Sequence, residues 1–237
     1  MLDGHGQNGT QSSMFVKMKL SNFITDHILK AKESNKKVIS EPDPEEKDDP
    51  NFDIMATREE KIITHSLYNS LIQTQNEIEQ NGSFNVQLSG TTVTSAFFSG
   101  NQLYTANVGD SRTILISMDE TDPKSIKVRQ LTTDHKPDFD AEKKRVIQCG
   151  GRVAQAMDFR GRMSGPLRVW GKNMNSPGLA MSRSIGDCVA HSVGCACEPD
   201  ISHTILSSLD KIILLASDGI WEFLTNMQVA NIVFPYL

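Results

Sequence analysis

Apolar residues fall on a helical stripe over residues 12–33. Val16, Leu20, Phe23, Ile24, His27 and Ile28 recur at the three- and four-residue spacing that buries one helix face. Residues 34–56 lose that period. The stretch Glu41–Pro50 is acidic and proline-rich, has nothing to bury, and reads as part of a solvated loop. A second helix opens on a capping box, Thr57 with Glu60 three residues on. It carries the stripe Ile63, Leu67, Leu71, Thr74, Ile78 to a stop at Asn81-Gly82.

From residue 86 the period becomes strand-like. Val86–Phe98, Gln102–Val108, Arg112–Ser117 and Ile126–Thr132 are β-branched or aromatic runs divided by short polar turns. Turns this short predict antiparallel neighbours, hence a meander. A helix is expected over Phe139–Cys149, closed by Gly150-Gly151, and then a strand at Arg152–Phe159. Residues 160–198 are rich in Gly and Ser and predict a long functional loop region. Strands return at Ile201–Leu206 and Lys211–Ser217, and an N-capped helix is expected from Asn226 to Leu237. No internal repeat is present. Helices, a meander and further helices make an α+β domain, with helices stacked on antiparallel sheets.

Composition removes several classes. With 237 residues, 38% hydrophobic and 22% charged, the chain is an ordinary globular sequence able to build a core without staples. Net charge is −5 and no Lys/Arg cluster occurs, so nucleic acid is not an expected partner. The longest unbroken apolar run, Ile212–Ala216, is far below the roughly 20 residues of a membrane span. Met1-Leu2-Asp3-Gly4-His5-Gly6 has no secretory character, and four cysteines make no disulfide framework. The expected location is therefore intracellular, cytoplasmic or nuclear.

The candidate chemistry lies in where acidic residues fall. Asp3 precedes a Gly-flanked histidine, Asp110 sits between two strands, and Asp218 directly follows an apolar strand. Each is read as a carboxylate at a strand end among small residues that let an ion approach. Singly, each is an ordinary turn pair. Together they suit a hard cation such as Mg²⁺ or Mn²⁺. Spacing alone leaves both readings open.

An ordered series of motifs adds to this. Asp3-Gly4-His5-Gly6, Ser89-Gly90-Thr91-Thr92, Asn107-Val108-Gly109-Asp110-Ser111-Arg112 and Leu131-Thr132-Thr133-Asp134-His135-Lys136-Pro137 come first. Pro177–Asp187, Glu198-Pro199-Asp200-Ile201 and Ala216-Ser217-Asp218-Gly219-Ile220-Trp221 follow. The series resembles that of the type 2C, metal-dependent Ser/Thr protein phosphatases. The resemblance implies a four-layer α-β-β-α sandwich, two antiparallel sheets flanked by helices, with a two-metal Mn²⁺ or Mg²⁺ site at one end. It implies that Asp3 bridges both ions and takes part in catalysis, that the Gly4 carbonyl serves one ion, and that Asp218 binds the second. Asp110 matches a position linked to a third, weaker ion, and His5 resembles the general acid that protonates the leaving alkoxide. Phosphorylated proteins are the implied substrates, and residues 160–177 align with the family's flap. No substrate-binding residue is assigned. The family's upstream Arg-bearing strand and late Asp-Asn element have no counterpart within residues 1–237, so the domain is expected to be incomplete at both ends.

Rival readings are kept beside this one. A catalytically impaired pseudophosphatase would use the same fold as a binding module. Cys188, His191, Cys195 and Cys197 could form a zinc site, although their spacing differs from paired C-x₂-C knuckles. Arg183 and Asp187 are expected to pair and fix the long loop rather than to contact substrate. Trp170 is expected as a flap residue or a core anchor.

Overall fold

The computed structural model describes residues 1–38, 58–122 and 125–236. A short strand β1 (Gly4–His5) leads into helix α1 (Gly9–Val38), which packs on α2 (Arg58–Gln80). All five expected stripe positions of α2 are buried, as are Val16, Leu20 and Phe23 of α1. The α1 helix outruns its expected end by several residues, because no Gly or Pro interrupts the chain before Pro42. The rest of the expected acidic loop, residues 39–56, lies outside the described residues, as does Thr57 of the expected capping box.

The strands β2 (Gly90–Thr91), β3 (Val93–Ser99), β4 (Gln102–Val108), β5 (Arg112–Met118) and β6 (Ile126–Gln130) follow. Later come α3 (Asp140–Gln148), β7 (Gly151–Met157), β8 (Met163–Gly171), β9 (Pro177–Leu179), β10 (Ile185–Gly186) and α4 (Cys188–His191). The chain closes with β11 (Asp200–Ile205), β12 (Asp210–Ala216), α5 (Asp218–Trp221) and α6 (Asn226–Val233).

Two antiparallel sheets, ordered β11–β4–β3 and β12–β5–β6, form the centre. Alternation along each strand decides the layers. Leu103 and Leu115 meet Leu131 between the sheets, where the Thr94 and Thr113 hydroxyls also bond at 2.9 Å. Tyr104, Ala106 and Val108 point the other way, into the α1–α2 layer. Ile114 and Ile116 point outward against Trp221, Val229 and Ala230 of the α5–α6 layer. The result is a four-layer α-β-β-α sandwich.

The simple meander does not form. Gly109-Asp110-Ser111 carries the chain from one sheet to the other, so β4 and β5 do not pair. Three extended residues reach about 10 Å, the usual spacing of stacked sheets. The strand expected at Arg152–Phe159 forms as β7, but residues 160–198 differ from a long loop, since β8 and β9 join β7 in a further antiparallel sheet. Register shifts at Gln155/Ala156 and Val169/Trp170 break the two-residue alternation that would have revealed it. The last helix has its capping box at Thr225 and Gln228 but ends at Val233 rather than Leu237. Pro235 lies in a 3₁₀ turn over Phe234–Tyr236, and Leu237 is outside the described residues.

Candidate active site

Strand register brings the acidic residues together. Ala216 pairs with Arg112 across β12 and β5, so Asp218, at the start of α5, stands beside the Asp110 turn. On the other sheet, Thr92 Oγ1 bonds Ser111 Oγ at 2.6 Å and accepts from the Asp3 backbone N–H at 3.1 Å. The Thr92 N–H returns to the Asp3 carbonyl at 2.9 Å. Asp3 is thereby tied to the same turn. It precedes β1 rather than ending a strand, which differs from the expectation that each carboxylate closes one.

The electrostatics record this convergence. Burial raises the Asp3 pKa, and the Asp218 carboxyl, within hydrogen-bond reach, raises it further, with Asp110 adding to the effect. Asp110 is 2% exposed. Burial raises its pKa; Lys136, which forms an ion pair with Oδ2, pulls it back, and Asp218 raises it again. His5 is half-buried, which opposes the charged imidazole, yet Asp187, Asp110 and Asp3 outweigh that and raise its pKa. Among the described residues, no three His, Cys, Asp or Glu side chains form a ready-made cage for an ion. What the site offers is a close Asp3–Asp218 carboxyl pair with Asp110 nearby. Like charges this close repel, and a divalent cation relieves that repulsion, so the donor set fits a hard metal.

Gly4 pairs with Thr91 in the small β1–β2–β10 sheet. A Cβ on Gly4 would sit 2.2 Å from the Gly9 carbonyl oxygen, so the tight turn into α1 requires glycine. Ser89 and Thr92 act as scaffolding: Ser89 Oγ accepts the Asn8 N–H at 3.0 Å, and Thr92 bonds as above.

The structure corrects the expected Arg183–Asp187 pair. Arg183 instead bonds Glu142 at 2.8 Å and Asp200 at 2.9 Å, while Asp187 Oδ2 lies 2.5 Å from His5 Nε2. The buried Glu142 carboxylate and Asp200 occupy the Arg183 guanidinium, and Asp187, whose backbone is left-handed, is bonded to His5. The zinc reading loses its histidine, because His191 engages Gln75 through Nδ1 and the Ser184 carbonyl through Nε2. All four cysteines are free, and burial pushes the Cys195 thiol up to about 12. Trp170 is half-buried and donates its indole N–H to the Ala154 carbonyl at 2.9 Å.

Several neighbours carry no role in the motif reading. His135 Nδ1 accepts the Gly109 N–H at 3.0 Å, and the His135 N–H returns to the Gly109 carbonyl at 3.0 Å. With Lys136 on Asp110, the 131–137 segment clamps the turn from one side. Both residues stand inside a quoted motif, so a signal existed, but not what they touch. Asp187 likewise closes the Pro177–Asp187 motif, which does not reveal that its partner is His5.

The fold is that of a solved phosphatase. It superimposes on the serine-threonine phosphatase 2C from Toxoplasma gondii with a TM-score of 0.73 at 18% identity, covering 99% of this chain and 71% of that one. The family profile described as Protein phosphatase 2C matches residues 1–234, and the chain belongs to that family. Probable protein phosphatase 2C 73 of Oryza sativa subsp. japonica is 32% identical over 98% of this chain and 55% of its own length. Probable protein phosphatase 2C 61 of Arabidopsis thaliana is 34% identical over 98% of this chain and 62% of its own. The chain therefore spans little more than half the length of these relatives. No helix among the described residues is long and apolar enough to cross a membrane.

Proposed function

We propose that residues 1–237 are a phosphatase domain, with residues 160–177 as its flap, that hydrolyses phosphoserine and phosphothreonine in proteins. The observation that carries this reading is the meeting of Asp3, Asp110, Asp218 and His5 at one end of the sandwich. Asp3, the Gly4 carbonyl and Asp218 would hold two Mn²⁺ or Mg²⁺ ions, with Asp3 the residue suited to serve both. Asp110 would bind a third ion only in competition with Lys136, which suits a weaker site. When bound, such ions neutralise phosphoryl charge and lower the pKa of water, so neither a thiolate nor a covalent intermediate is needed. His5, whose acidic neighbours favour the charged imidazole, would supply the proton that a serine alkoxide needs to leave.

The test is the leaving group. His5→Gln should slow Mn²⁺-dependent hydrolysis of a phosphoserine peptide by roughly a hundredfold, and of p-nitrophenyl phosphate far less. The aryl group leaves without a proton. Equal losses on both substrates would remove His5 from the proton-donor role. Binding of phosphopeptide with no turnover in the parent protein would favour a binding module over an enzyme.

A further inference from the structure

We propose that Asp187 is the positioning residue of His5: it holds the imidazole through Nε2 and leaves Nδ1 as the nitrogen that delivers the proton. The inference rests on His5 being the proton donor. A carboxylate only accepts, so the 2.5 Å contact to Asp187 Oδ2 places a hydrogen on His5 Nε2. The Asp187 side chain is 3% exposed and that of His5 23%, so the carboxylate end of this bond is shielded from water. His5 Nδ1 is buried and has no hydrogen-bond partner. A buried polar atom without a partner is costly in a resting fold and is accounted for when a reacting group fills the gap.

The backbone is arranged for this contact. Asp187 adopts φ 45 and ψ 48, and among the described residues no other non-glycine residue has a positive φ. An L-residue pays about 1–2 kcal/mol for that conformation. Two hydrogen bonds hold it there, from the Asp187 N–H to the Ser89 carbonyl and from the His191 N–H to the Asp187 carbonyl, each at 3.0 Å. Strand register completes the arrangement. His5 and Gly186 both pair with Gly90, from opposite sides of β2. Donor strand, spacer and acceptor strand thus form one row, and the His5–Asp187 bond crosses above Gly90. A Cβ on Gly90 would lie 2.3 Å from Asp187 Oδ2, so only glycine leaves room for the bond.

In the step itself, water attacks phosphorus and the bond from phosphorus to the serine oxygen breaks. That oxygen takes the hydrogen from Nδ1, while Nε2–H stays on Asp187. The proton lost by the attacking water passes to solvent, and a solvent proton restores Nδ1–H. The products are serine and inorganic phosphate.

Asp187→Asn separates this role from a purely structural one, because Asn tolerates the left-handed backbone at least as well as Asp. In the full-length Mn²⁺-loaded protein, kcat on a phosphoserine peptide should fall roughly tenfold to a hundredfold with KM little changed. Turnover of p-nitrophenyl phosphate should hold. Long-range ¹H–¹⁵N spectra of the metal-free protein should place the neutral His5 hydrogen on Nε2, and on a mixture of both nitrogens in Asp187→Asn. Asp187→Gly, which relieves the backbone and removes the acceptor, should reproduce both results if the Asn variant folds poorly. Unchanged leaving-group dependence together with an unchanged tautomer would overturn the proposal. If His5→Gln itself loses alkyl and aryl turnover equally, the proton-donor reading fails instead. An alkyl-specific loss in His5→Gln without one in Asp187→Asn defeats this inference alone.

Discussion

Glu142 shows how a single buried charge is kept in this fold. Its carboxylate, 6% exposed, takes both Arg145 Nη1 and Nη2, a hydrogen bond from Ser182, and Arg183 from the far side. Burial alone would raise its pKa, but the arginines and Ser182 outweigh burial and hold it well below the usual carboxylate range. A depressed folded pKa contributes stability above the unfolded value of about 4.3, and that contribution fades as pH falls from there towards the folded value. Glu142→Gln should therefore cost about 3 kcal/mol in urea unfolding at pH 7, since it takes the buried carboxylate from two half-buried arginines. The gap between parent and variant should narrow steadily below about pH 4. A gap independent of pH would mean that the carboxylate contributes by shape and not by charge.

Elements carry the next level, and the turn from β4 to β5 is the one that matters to the site. Gly109 has φ 105, and a Cβ there would meet Thr92 Cγ2 at 2.7 Å. Gly100, in the β3–β4 turn, has φ 60 and open space around it. Gly100→Ala should cost about 1 kcal/mol from backbone strain alone. Gly109→Ala adds the clash with Thr92, so its urea midpoint should fall at least twice as far. Equal midpoints would show that Thr92 yields freely and does not fix the turn. The α2 stripe is legible because its burial follows the helical period, and β4, β5 and β12 are legible as β-branched or aromatic and apolar runs, little exposed on either face, between turn residues. The crossing between sheets is not legible, because Gly109-Asp110-Ser111 serves equally as a hairpin turn. The β7 strand is legible, but its partners β8 and β9 are hidden by register shifts and glycines.

On the scale of the whole molecule, sandwich register turns scattered carboxylates into one site. Asp3, Asp110 and Asp218 stand out in the sequence because each sits beside small residues at a chain reversal or strand end. Asp187 does not, since its contact with His5 depends on two strands meeting at Gly90, and no local pattern records that. Arg183 pairs with Glu142, far away in sequence, for the same reason. Metal binding by the Asp3–Asp218 pair is the claim on which the functional account depends. Calorimetric titration of Mn²⁺ into the parent protein, Asp218→Asn and Asp119→Asn tests it most directly. Asp119 lies at the opposite end of β5, bonded to Lys127, so its loss changes net charge equally without touching the site. The account predicts Mn²⁺ affinity weakened by about tenfold or more in Asp218→Asn, at least 1.4 kcal/mol, and unchanged affinity in Asp119→Asn. Equal affinity in all three proteins would contradict it.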